Sequence, residues 1–113
     1  MKYMLMIYMD PNGTAPEGEM EGYFSFTDEL MKAGKMVAGD PLQGVETATT
    51  VTVDSGKTVT TDGPFAETKE ILGGYYIVDV DDIDEAIGWA AKIPTATWGK
   101  IEVRPLMDLP PMA

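Results

Sequence analysis

The chain contains neither cysteine nor histidine, and these two absences exclude more chemistry than any single motif suggests. Without cysteine there is no disulfide, no thiolate nucleophile and no zinc site built from the usual soft ligands. Without histidine there is no imidazole to carry protons near neutral pH. Positive charge is also scarce, with 8 basic against 19 acidic residues and a formal charge of −11. A field of that sign repels phosphate and anionic headgroups, so neither nucleic acid nor a membrane surface is expected as a partner. Long apolar runs are missing too. The opening run, Tyr3–Met9, breaks at Asp10-Pro11-Asn12-Gly13, too short and too tyrosine-rich for a signal peptide. No other run approaches the ~18 apolar residues of a membrane span. Gly34, Gly39 and Gly44 lack the strand–turn–helix setting of a phosphate-binding loop, and no cofactor and no particular metal site is expected. Chemistry is left to Asp, Glu, Lys, Tyr, Ser, Thr and Arg, or to a hard cation held by oxygen. The expectation is one cytoplasmic domain of 113 residues, long enough to bury about two-thirds of its unfolded surface.

What is present alternates between strand and helix signals. Residues 2–9 are apolar on both alternating sets, Tyr3, Leu5, Ile7, Met9 and Met4, Met6, Tyr8. A strand of that kind is covered on both faces. A domain this small has one layer of helices, so the second cover is expected to be another subunit, which makes a homodimer. Thr14-Ala15-Pro16-Glu17 fits a capping box. Met20, Tyr23, Phe24, Thr27, Leu30 and Met31 then recur as one apolar stripe, predicting a helix over about 17–33, closed by Gly34. A short strand follows at Met36–Gly39. The β-branched segments 47–53 and 57–61 flank Asp54-Ser55-Gly56 and predict a hairpin. Residues 74–80 read as a strand. Ile83, Ala86, Ile87, Ala90 and Ala91 predict a second helix over about 82–93, stopped by Pro94. Thr95–Gly99 reads as a polar loop before a last strand over 100–106. Two strand–helix–strand units around an inserted hairpin give an α+β, ferredoxin-like fold with an antiparallel sheet.

Between the hairpin and the strand at 74–80 lies Asp62-Gly63-Pro64-Phe65-Ala66-Glu67-Thr68-Lys69-Glu70, the densest group of turn, aromatic and ionisable residues in the chain. Gly63 reaches backbone angles closed to other residues and Pro64 fixes φ, so the run forms a rigid corner with a carboxylate projecting from it. Asp62 is then either a turn residue bonding nearby amides or, beside Phe65 in a cleft, a desolvated general base. Tyr23 is the helix residue expected to face that cleft. Glu67, Lys69 and Glu70 form either a solvated ion-pair cluster or a site in which Lys69 receives an anion. Arg104, the only arginine, is either paired with Glu102 or a neighbouring acid, or clamps a ligand carboxylate.

DGPFAETKE, followed by GGYYIVDVDDIDEAIGWAAKIP and GKIEVRPL, resembles the DGPF branch of the YCII-related family, nearly end to end. That resemblance implies a ferredoxin-like fold paired as a dimeric α+β barrel. It also implies a cleft at the corner, with Asp62, Gly63, Pro64 and Phe65 as the matching positions. Several relatives set this aspartate opposite a histidine; with no histidine here, only the Asp62 position carries over. Three function classes follow. One is a lyase- or isomerase-like acid–base enzyme using Asp62. Another is a small-molecule sensor without turnover. The third is a protein-interaction module in the sigma-factor setting where DGPF-type proteins are often met.

Overall fold

The computed structural model describes residues 1–65 and 68–112. The elements run β1 (Lys2–Met9), α1 (Glu19–Lys32), β2 (Met36–Pro41), β3 (Thr49–Asp54), β4 (Lys57–Asp62), β5 (Ile71–Asp79), α2 (Ile83–Ala91) and β6 (Lys100–Pro105), with short 3-10 turns at Val45–Thr47 and Pro94–Thr97. Four strands make one sheet in the order β2-β5-β1-β6, each pair antiparallel. With β3 and β4 set aside, that order is the ferredoxin-like arrangement that the two strand–helix–strand units predict.

β1 runs through the middle of the sheet. Tyr3, Leu5 and Ile7 are buried under the helices, with Leu5 facing Tyr76 and Tyr3 facing Val78 across the β1–β5 ladder. Met4, Met6 and Tyr8, on the opposite face by strand alternation, are half-buried. Phe26 and Leu30 of α1, Ala86 and Ala90 of α2, and Ile93 complete the core. The Phe26 ring meets Tyr76 edge-on at 5.1 Å between centroids, a pairing worth roughly 0.5–1.5 kcal/mol beyond burial.

The helix ends follow from local chemistry, once against expectation. Thr14 and Glu17 do not cap α1. The N-cap is Gly18 in the left-handed region, φ 84°, and Glu19 opens the helix. Pro16 explains the shift: its carbonyl accepts from the Glu19 amide at 3.3 Å, so a turn occupies the place of the capping box. At the other end Gly34, φ 71°, closes α1. Its amide donates to the Met31 carbonyl and that of Lys35 to Leu30, the paired bonds of a Schellman motif. On α2 the Asp82 side chain accepts from the Glu85 amide at 2.9 Å, and Glu85 reaches back to the Asp81 amide.

β3 and β4 form a separate two-stranded arm. Ser55 and Gly56 both have positive φ, as a two-residue hairpin turn of the primed type requires. Nearly every residue of the arm is exposed, Val53 at 71%. The radius of gyration is 16.4 Å, against about 13 Å for a compact chain of this length. The projecting arm accounts for the excess.

Leu30→Ala empties a fully buried position, and we expect a loss of about 2–5 kcal/mol of unfolding free energy. Gly34→Ala places a Cβ at a left-handed residue, for about 1–2 kcal/mol. Urea unfolding of both variants reads these values directly.

Candidate functional site

The expected single stripe on α1 is two rows. Phe26 and Leu30 enter the core, whereas Met20, Phe24 and Met31 are each more than half exposed. Met20, Phe24, Thr27 and Met31 stand at i, i+4, i+7 and i+11, which is one continuous helix face. That face roofs a cavity of about 630 Å³ between α1 and the β2–β5 side of the sheet. Met36, Gly39, Gly74 and Tyr76 line its strand side, with Ile7 and Met9 from β1. Gly39 is required there. A Cβ on it would lie 2.6 Å from Cδ1 of Tyr76, so only glycine lets that ring lie across the strand.

Polar groups enter the cavity as ordered pairs and chains. Thr27 and Tyr76 share a hydrogen bond of 2.7 Å between their hydroxyls. At the first turn of α1, Glu19 Oε1 accepts from the Trp98 indole N–H at 2.6 Å and from the Thr95 hydroxyl at 3.1 Å. With the Thr95 proton directed at Glu19, the Tyr23 phenol donates to Thr95 Oγ1 across 2.6 Å. The result is a directed chain, Tyr23 to Thr95 to Glu19, braced by Trp98. Burial pushes the Tyr23 phenol up, and the nearby Glu19 carboxylate adds to that. Tyr23 therefore acts as a neutral donor.

Of the residues singled out in the sequence, Tyr23 lines this cavity; Asp62, Gly63, Pro64, Phe65, Lys69 and Arg104 are not among its lining residues in the single chain. Asp62 ends β4 opposite Thr49 and is exposed. Gly63, φ 93°, makes the corner; its amide donates to the Ala48 carbonyl at 2.7 Å and its carbonyl accepts from Thr50 Oγ1 at 2.8 Å. Pro64 and Lys69 are exposed, and Phe65 stands 90% exposed. Arg104 pairs with Glu102 at 3.2 Å on the same strand. Glu70 pairs with Lys100 rather than within its own cluster, because β6 brings that lysine alongside. Glu67 lies outside the described residues.

Glu19, Thr95 and Trp98 are the members of the site that sequence reasoning misses. Thr95 reads as part of a polar loop yet has no exposed surface. Pro94 starts a 3-10 turn there instead of a loop, and that turn tucks Thr95 against α1. Among the described residues no group of three or more acidic side chains converges as a cation's ligand set would. No helix among them is long and apolar enough to cross a membrane.

A ferredoxin-like α+β sheet with a side cavity defines a broad class, and sequence comparison narrows it. The YCII-related domain model matches residues 1–110. An uncharacterized protein of Rhizobium meliloti (strain 1021) is 34% identical over 114 aligned residues, covering 94% of this chain and 92% of that protein. The chain belongs to the YCII-related family.

The raised phenol has a pH signature. Below the ordinary phenol value of about 10 both folded and unfolded chains hold the Tyr23 proton, and the contribution is intact. As pH rises past that value the unfolded chain ionises first and stability falls, until Tyr23 itself titrates. We expect Tyr23→Phe to flatten this alkaline loss, and to cost about 0.5–1.5 kcal/mol at neutral pH for the missing hydrogen bond. Thermal melts across the alkaline range check both.

Proposed function

We propose that this chain is a small-molecule binding protein that acts as a homodimer, its ligand held in the cavity under α1. The cavity itself carries the reading. At about 630 Å³ it falls within the roughly 300–1,000 Å³ of ordinary ligand sites, and like them it is mostly apolar with a few fixed polar groups.

Three features support the second copy. Met4, Met6, Tyr8, Tyr75 and Ile77 are half-buried on a sheet face that no helix covers. The β3–β4 arm is a two-stranded hairpin, a form only marginally stable alone in water, and it carries exposed Val51 and Val53. Phe65 stands in solvent at the arm's root. A partner copy on the bare face, gripped by the arms, would cover all three. The resemblance to dimeric α+β barrels points the same way.

Asp62 belongs to this reading through chain connectivity. The excursion from Leu42 to Leu72 leaves from Pro41 and returns at Gly73, both on the cavity wall, and the Leu42 amide donates to the Gly73 carbonyl at 2.9 Å. The corner Asp62-Gly63-Pro64-Phe65 lies within that excursion, between the hairpin and the return at Gly73. Closed against a partner, Phe65 would dry the Asp62 carboxylate and give an acid–base enzyme a base without imidazole; Lys69 would be the cation at that mouth. An exposed Asp62 favours binding over turnover in the single chain. The arm also favours a second reading, an interaction module in a sigma-factor setting. The charge of −11 and the lack of cysteine fit a cytoplasmic protein that leaves nucleic acid alone.

Light scattering at micromolar concentration is expected to give twice the chain mass; a clean monomer contradicts the assembly. Asp62→Asn keeps the corner's shape and removes its charge. We expect it to fold and dimerise while altering ligand handling, and a variant indistinguishable from the parent with every ligand removes Asp62 from the site.

A further inference from the structure

The cavity's charged wall has one sign. Glu19 and Asp28 line it, Asp28 already bridged to Lys32 at 2.9 Å. Asp40 borders it too, but its carboxylate accepts from Tyr75 on the other sheet face, and among the described lining residues there is no lysine or arginine. Most of its hydroxyl protons are committed: Tyr23 donates to Thr95, Thr95 to Glu19, and one of Thr27 and Tyr76 to the other, which leaves one hydroxyl proton of that pair unused. An entering carboxylate or phosphate would meet the Glu19 carboxylate and few free donors, a costly way to leave water. A cation meets the reverse. Trp98 and Thr95 both bond Oε1 of Glu19, which fixes the carboxylate while Oε2 takes neither bond. Aromatic rings stand on both sides of the space, Tyr23 and Phe24 on the helix and Tyr76 on the strand. Ring faces attract ammonium groups, and methionine side chains adapt to an irregular apolar body.

Resting on the binding reading above, we propose that the cavity selects organic amines. The ligand's protonated nitrogen docks at Glu19 Oε2, and its aromatic or branched apolar body lies along Met20, Phe24, Met31 and Met36. The chain's overall negative field concentrates such cations near the mouth and repels anionic analogues. Glu19 is thus the specificity-determining residue of the site. Thr95 and Trp98 are positioning residues that act through it.

The test uses three probes with one body and different ends: phenylbutylamine, phenylbutanol and phenylbutyrate, titrated into the full chain by calorimetry near neutral pH. The amine is expected to bind at least about tenfold tighter than the alcohol, the ratio that one charge-assisted hydrogen bond supports, with the carboxylate weakest. Glu19→Gln keeps an acceptor for Trp98 and Thr95. It should bring the amine down to the alcohol's affinity and leave the alcohol unchanged, while the neighbouring control Glu17→Gln changes neither. If the alcohol or carboxylate binds as tightly as the amine, the amine assignment is wrong and the binding cavity stands. If none of the three binds, both fail. The wild-type ranking decides the matter even if Glu19→Gln does not fold.

Discussion

Helix α1 must satisfy two neighbours at once, and much of the molecule follows from that. Its Phe26–Leu30 row is anchored in the core against β1 and β5. Its Met20–Phe24–Thr27–Met31 row, turned by a fraction of a helical turn, has no such anchor and roofs open space. An ordinary amphipathic helix buries one stripe and wets the rest. Here a second apolar row faces open space, and Gly39 and Gly74 on the strands beneath it add no side chain to fill that space. The glycines make room, the methionines line it, and the Glu19–Thr95 contact ties the start of α1 to the turn after α2.

This explains which features the sequence displays and which it conceals. Strand order and helix positions are legible because they depend on local periodicity: the two-sided run of β1, the spacing of Ile83 through Ala91, and the turn at Asp54-Ser55-Gly56. The start of α1 is concealed because Thr14 and Glu17 satisfy a capping pattern that Pro16 and Gly18 override. The stripe on α1 reads as one row because a count of apolar spacings cannot separate a face in the core from a face over a void. The Glu19–Thr95 and Glu19–Trp98 bonds join residues 76 and 79 positions apart. No local pattern encodes such a contact. Arg104 shows the converse, since alternation with Glu102 on a half-wet strand already favoured the plain ion pair found there.

The corner at Asp62 occupies an intermediate position. Its geometry was readable, and Gly63 in the left-handed region with its amide on Ala48 is the rigid bend that an Asp-Gly-Pro run predicts. Its surroundings were not, because they depend on what meets the arm. A bare sheet face, an unsupported hairpin and an exposed phenylalanine are three separate costs in an isolated chain. The proposed dimer relieves them together, and the same contact would bring the corner into play at the cavity's rim.

The proposed ligand site is the space under the second row of α1. Methyl-labelled methionine NMR with phenylbutylamine tests it most directly, because the methionines divide cleanly by location. Met9, Met20, Met31 and Met36 line the cavity, Met4 and Met6 lie on the opposite sheet face, and Met112 is in the exposed tail. Saturable shifts are expected at Met20, Met31 and Met36, with Met112 unmoved. Shifts confined to Met4 and Met6, with the cavity methionines silent, would contradict it.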